Sequence, residues 1–256
     1  MLRNHLKALV RRSARRLDLE IVSRRGLPDR LFDVTLARIF EELAIDFVLD
    51  IGANKGQFRD RIRHEIGFRG PIVSVEPLAD NIKTLRHRAE RDPHWSIEGL
   101  ALGRAAGVRT INVMKQDVFS SFLKPNEESA SEFSGQNEIL RTEPVQVDTL
   151  DALFGRLQAR FQFKRPYLKL DTQGFDLEIL QGGPRALTQF SALQTESSIV
   201  PIYEGMPSYT ESLQFLHARG FDLSWIAPVT LDSQMRLIEV DCVLIRRAGS
   251  QFDHRL

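Results

Sequence analysis

Short apolar runs, most of them closed by an acid or a glycine, alternate along this chain with longer stretches of helical periodicity, and few folds accept that rhythm. FVLDIG (Phe47 to Gly52) precedes a helical pattern from Gln57 to about Ile66, and PIVSVEP (Pro71 to Pro77) precedes one from about Asp80 to Arg91. WSIEGLALG, from Trp95, reads as a third strand. Further on come helical LDALFGRLQARF, the strand YLKLD, helical DLEILQGGPRAL ended or kinked at its Gly-Gly-Pro, the strand SALQTE, and SYTESLQFLHARG. That last helix opens on a Ser with a Glu three residues on, the spacing of a capping box, and stops at Gly220. Strands joined by a helix-length crossover lie parallel. The final pair, FDLSWIAPV and RLIEVDCVLIRR, is separated only by LDSQM, too short for a crossover helix, and is expected to pair antiparallel. The expectation is an α/β fold: a mostly parallel sheet with an antiparallel last strand and helices on both faces. Ligands in such sheets bind outside the carboxyl ends of the strands.

Between Gly107 and Leu150 the rhythm fails. VRTINVM and VQVDTL read as strands around polar, turn-rich KPNEESASEFSGQNE, and a loop of that length is usually functional or disordered. The 256 residues, 42% hydrophobic, suffice for one large domain with a sizeable core. A net charge of +1 gives no case for a nucleic-acid partner. The single cysteine, Cys242, excludes an internal disulfide and is expected to pack in the core. No stretch approaches 18 apolar residues and the N-terminus is charged where a signal peptide needs its apolar centre, so neither a membrane span nor export by that route is expected, and a cytoplasmic location follows.

DIGANKGQF (Asp50 to Phe58) is the sharpest motif. A buried strand ends, Gly52 and Gly56 let the backbone turn tightly against a ligand, and a helix begins. The Gly-x-x-x-Gly spacing is neither the dinucleotide fingerprint nor a phosphate loop. Glu76, at the end of the second strand, is 20 residues past Gly56, where an acceptor-only carboxylate can take both hydroxyls of a ribose. A Glu before Pro at a strand end is, by itself, a solvated turn residue; the pairing with the glycine loop gives it meaning.

This combination resembles the class I S-adenosylmethionine-dependent methyltransferases. The later blocks EGLALG, Ser120 to Leu123, VDTLD, LKLDTQGFDLEILQG and LQTESSIVPIYEG look, in order and spacing, like the FkbM family of methyltransferases, over roughly Phe47 to Arg246. The resemblance implies a Rossmann-like, seven-stranded sheet, with S-adenosyl-L-methionine as cofactor. It also implies that Asp50, Gly52, Asn54 and Gly56 shape the cofactor loop, that Glu76 holds the ribose, and that Ala101 and Leu102 lie near the adenine. O-methylation of a sugar, a glycan or a secondary metabolite is the activity it implies.

Asp171 closes the fourth parallel strand and is expected to face the donated methyl as base, though Asp and Thr also favour helix starts and capping alone is the bland alternative. Thr172 and Gln173 can orient acceptor or cofactor. Glu196, at the end of the neighbouring strand, can serve as a second base, a metal ligand or an acceptor-binding carboxylate. Two acids without a third ligand do not favour Mg²⁺, and no metal site is assigned. Tyr203 and Glu204, after the fifth strand, are weak candidates for substrate contact. His217 reads as structural, and Ser120 and Ser121 lack a histidine partner for hydrolase chemistry.

The segment MLRNHLKALVRRSARRLDLEI spaces Leu2, Leu6, Leu9, Val10 and Leu17 near helical period among basic residues. It suits either peripheral contact with an anionic membrane or, preferred, packing on the domain or a partner chain. The expected division is a basic helical extension over 1–46, a methyltransferase domain over 47–248 and a tail over 249–256; the oligomeric state is not legible. Two rival functions share the glycine turn: a nicotinamide-dependent oxidoreductase, which would need a Gly-x-Gly-x-x-Gly that is missing, and a binding module without chemistry.

Overall fold

The computed structural model describes residues 22–126 and 135–248. The basic segment from Met1 to Ile21, read as packing on the domain or a partner chain or else as contacting a membrane, lies outside the described residues, as do the tail from 249 and part of the polar stretch after Lys124.

A helix, α1 (Leu27–Glu42), precedes the sheet. Pro28 sits in its first turn, where a missing N–H costs nothing, and Phe32, Leu36, Ile39 and Phe40 return at helical spacing to one buried face. The chain then builds β1 (Phe47–Ile51), α2 (Gln57–Arg61), β2 (Ile72–Val75), α3 (Ala79–Ala89) and β3 (Trp95–Glu98). The helix expected through Ile66 is α-helical only to Arg61; from Ile62 it widens into a π turn, closed by the Phe68 N–H on the Ile62 carbonyl (2.9 Å). After the irregular region come α4 (Leu150–Phe161), β7 (Pro166–Leu170), α5 (Asp176–Gln181), β8 (Ala192–Ser198), α6 (Tyr209–His217), β9 (Phe221–Leu231) and β10 (Leu237–Arg246). Ser208 and Glu211 form the expected capping box at α6.

The seven-stranded sheet has the order β3-β2-β1-β7-β8-β10-β9. Its first five strands are parallel neighbours, and β10 runs antiparallel to both β8 and β9. Residues of β1, β2 and β7 are buried on both faces, which is why they read as continuous apolar runs. One face carries Leu49, Ile51, Val73, Val75, Leu168 and Leu170 under α4, α5 and α6. The other carries Val48, Ile72, Tyr167 and Ala192 under α1, α2 and α3.

One strand reading is corrected. WSIEGLALG is two strands: β3 stays in the main sheet, while β4 (Ala101–Gly103) leaves it to join a second sheet of order β4-β6-β5, with β5 (Gly107–Met114) and β6 (Ile139–Thr149). The strand seen in VQVDTL is the end of β6, which is much longer. Ala101 and Leu102 of β4 and Ile111 of β5 share a cleft with Ile51 and Val75 at the ends of β1 and β2, so the small sheet supplies part of the wall of the site.

Candidate active site at the carboxyl rim of the sheet

Two cavities meet at the carboxyl rim. The first is a narrow, mostly apolar cleft whose walls include Ile51, Leu78, Ala101, Leu102, Phe122 and Ile179, with Gly52, Asn54, Glu76 and Asp171 among its polar edge. The second, of about 430 Å³, lies on the α2 side of the rim. Gly52, Asn54, Asp171 and Gln173 line both, so the acid singled out from the sequence stands in the partition between them.

The glycine loop follows from the sequence. Gly52 has φ +77°, and a Cβ there would lie 1.9 Å from the Asp171 carbonyl oxygen, so only glycine lets the two strand ends approach. The Gly52 and Ala53 N–H groups donate to the Val75 carbonyl (3.0 and 3.1 Å), turning the loop toward β2. Asn54, itself at φ +46°, donates its N–H to Glu76 Oε2 (2.9 Å). Gly56 lines neither cavity; it lets the chain pass under the Trp95 indole, which a Cβ would meet at 2.8 Å. Asp50 is beneath the site, fully buried, accepting from the Ser74 hydroxyl (3.0 Å) and lying 3.4 Å from the Lys169 ammonium. Burial raises its pKa, with Lys169 and Ser74 pulling the other way.

Glu76 is buried at the cleft edge and accepts from the Asn54 and Leu78 N–H groups and, at 3.4 Å, from Asn81 Nδ2. Burial outweighs those bonds and pushes its pKa up to about 7. Three donors leave about one of a carboxylate's four lone-pair sites for a ligand hydroxyl. Ala101 and Leu102 line the same cleft, on the strand that left the main sheet.

Asp171 is held on both oxygens. Lys169 Nζ lies 3.3 Å from Oδ2, and Gln173 Nε2 donates to Oδ1 (3.1 Å). The same Gln173 amide donates to Glu196 Oε2 (2.9 Å), while its Oε1 lies 2.7 Å from the Tyr203 hydroxyl. Gln173 takes φ +54°, and its carbonyl accepts from the Ser121 hydroxyl (2.7 Å), so the residue is pinned at backbone and side chain alike. No side chain caps α5, whose N-cap is Phe175. Asp176, in its first turn, instead ties the loop after β7 to β8, accepting from the Thr172 N–H (2.9 Å), the Thr172 hydroxyl and the Thr195 hydroxyl (2.6 Å). Asp171 makes no capping bond to the helix.

Tyr203 lines neither cavity. It is buried, its hydroxyl between Gln173 and the Phe119 carbonyl (2.8 Å), and it supports the partition from behind. Glu204 is exposed and also outside both cavities. Ser121 is a pin, and His217 is an exposed neighbour of Asp222.

Sequence reasoning missed Lys169, Gln194, Glu239 and Asp241, all of which line the larger cavity. Strand register explains the convergence. Ser74, Asp50, Lys169 and Gln194 are successive partners across β2, β1, β7 and β8, and Asp241 is the partner of Glu196. A lysine inside the apolar run YLKL was the available signal. Lys169 is buried, yet the Asp171, Asp50 and Asp241 carboxylates raise its pKa despite the burial. Burial and the Asp171 charge push Asp241 up to about 6, and burial with neighbouring carboxylates raises Glu196 and Glu239 as well. Among the described residues no three histidine, cysteine or acidic side chains form a metal-binding group, and no helix is long and apolar enough to cross a membrane.

Residues 50–223 match the profile of the methyltransferase FkbM domain, more than half of the chain. The chain belongs to the FkbM methyltransferase family. Its fold is that of a methyltransferase FkbM from Methylobacillus flagellatus KT, with a TM-score of 0.50 at 14% identity over 78% of this chain. The chain spans 43% of that protein's length. The Methanococcus jannaschii fibrillarin pre-rRNA processing protein aligns at TM-score 0.44 and 11% identity, over 80% of this chain and 68% of its own. An Aeropyrum pernix fibrillarin in complex with S-adenosyl-L-methionine aligns at 0.41 and 12%, over 78% and 66%. No curated protein matches the FkbM-family chain.

Proposed function

We propose that this FkbM-family chain is an S-adenosyl-L-methionine-dependent methyltransferase that methylates a hydroxyl of a small-molecule acceptor, a sugar, glycan or secondary metabolite. The observation that carries the reading is the meeting of Gly52, Glu76 and Asp171 at one rim, with an apolar cleft on one side of Asp171 and a polar cavity on the other.

The cleft suits the cofactor. Gly52 gives the close backbone approach, Glu76 presents its remaining acceptor capacity to ribose hydroxyls, and Leu78, Ala101 and Leu102 offer an apolar slot for a purine. When bound, the cofactor supplies a methyl group already activated on a sulfonium. The protein's share is then positioning and proton removal. Alignment of the two reactants accounts for about 7–11 kcal/mol of barrier and a placed base for about 10²–10⁴-fold. Asp171 takes the hydroxyl proton on a free lone pair, its carboxylate fixed by Lys169 and Gln173. Glu196 is joined to it through the Gln173 amide and faces the acceptor side.

Calorimetric titration with S-adenosylhomocysteine and with NAD tests the cofactor. The first is expected to bind and the second not; the reverse would replace methyl transfer with hydride transfer. Transfer of label from S-adenosyl-L-methionine to a panel of glycans and lipid-linked sugars tests the reaction. Loss of that transfer in Asp171→Asn, with S-adenosylhomocysteine binding retained, is the expected signature of a base.

A further inference from the structure

The larger cavity is more acidic than an acceptor site for a neutral sugar requires. Asp171, Glu196, Glu239 and Asp241 all line it, against Lys169 and Arg61. Both cations are already engaged: Lys169 with Asp50 (3.4 Å) and Asp171 (3.3 Å), Arg61 with Asp33 (2.6 Å) and Asp29 (3.7 Å). Glu239 is 4% exposed, and only its Oε2 is satisfied, by the Thr230 hydroxyl (2.8 Å); among the described residues no donor pairs with the other oxygen. That oxygen opens onto the cavity rather than into the core, where a ligand's donor can reach it.

Strand geometry separates the candidates for that visitor. Glu239 and Asp241 are two residues apart on one face of β10, a repeat of about 6.8 Å, whereas a metal ion needs its oxygens within about 2.0–2.6 Å of one point. Acids spaced in this way suit an extended organic cation whose ammonium and hydroxyl donors reach several of them. An anionic acceptor would meet charge of its own sign on three strands.

Resting on the methyltransferase reading above, we propose that this cavity receives a hydroxylated acceptor bearing an ammonium group, of the aminosugar class, with Glu239 and Asp241 holding the cation and Asp171 facing the hydroxyl. The groups facing the ammonium are Asp171 and Lys169 from β7 and its end, Glu196 from β8, Glu239 and Asp241 from β10, and Arg61 from α2. Burial and neighbouring carboxylates raise Glu196 and Glu239 and push Asp241 up to about 6, and a cation held among them favours the ionised form of each.

The test is calorimetry on the full chain, first with S-adenosylhomocysteine and then, once saturated, with glucosamine, glucose and glucose 6-phosphate in buffers of different ionisation enthalpy. Binding of S-adenosylhomocysteine reports on the methyltransferase reading independently of the sugars. Glucosamine is expected to bind at least about tenfold tighter than glucose and to release protons, with no binding of glucose 6-phosphate. Glu239→Gln is expected to weaken glucosamine by about tenfold and to leave S-adenosylhomocysteine unchanged. Should that variant fail to fold, the three-sugar comparison on the unaltered chain still decides. Equal affinity for glucosamine and glucose, no glucosamine binding up to about 50 mM, or saturable Mg²⁺ binding that glucosamine does not displace would each overturn the proposal.

Discussion

The two faces of the central sheet are built from the same strands and do opposite work. Under α4 and α5 the strands stay apolar to their last residue, with Leu49, Ile51, Leu168 and Leu170 buried in one cluster. Under α1 and α2 they begin apolar, at Val48, Ile72, Tyr167 and Ala192, and change two residues later to Asp50, Ser74, Lys169 and Gln194. Since side chains alternate along a strand, the change is confined to one face and one end. The first face is an anchor. The second turns from anchor to chemistry within about one two-residue step, roughly 7 Å.

The largest effect should come from breaking the polar row at its centre. Lys169→Met leaves the buried Asp50 carboxyl without its cation, which costs about 3–5 kcal/mol; urea denaturation should show it, and adding Asp50→Asn should restore much of the loss. On the apolar face, Leu168→Ala should cost about 2–5 kcal/mol yet leave S-adenosylhomocysteine affinity unchanged, separating stability from binding. If that variant lost affinity in step with stability, the division between the faces would fail.

Glu76 gives a pH signature. Its folded value of about 7 lies above the ordinary 4.5, so the stability it contributes is complete below about pH 4.5 and is lost as pH rises toward 7, at up to about 1.4 kcal/mol per unit. Glu76→Gln should flatten the pH dependence of the urea midpoint over that window. Ligand hydroxyls favour the ionised form, so S-adenosylhomocysteine should bind the parent protein more tightly from pH 6 to 8, and the variant without that trend. The smallest change, Tyr203→Phe, removes the hydroxyl behind Gln173 and should cost about 1 kcal/mol by the same denaturation measurement.

The comparison also explains what could be read in advance. Strands buried on both faces announce themselves as apolar runs, so β1, β2, β7 and β8 were legible, as was the antiparallel β9–β10 pair from its short connection. The small sheet was less so, because the outer halves of β5 and β6 are exposed and carry little alternation. Nothing local distinguishes β4 from the end of β3; the departure of Ala101 is decided by pairing with Val147, 46 positions away. Gly52, Glu76 and Asp171 were found because each closes a strand beside turn-forming residues. Glu239 and Asp241 escaped because their position depends on a register with β8 that no local pattern encodes.

Helix α1 has a practical meaning for anyone shortening the chain. Phe32, Leu36, Ile39 and Phe40 roof the underside of Val48, Ile72 and Tyr167, each worth roughly 1.5–3 kcal/mol of burial. Asp33 ties that roof to Arg61, which also lines the acidic cavity. A truncation beginning at the first strand would strip the floor from the chamber it was meant to isolate, so a cut intended to remove only the basic leader has to fall upstream of Leu27.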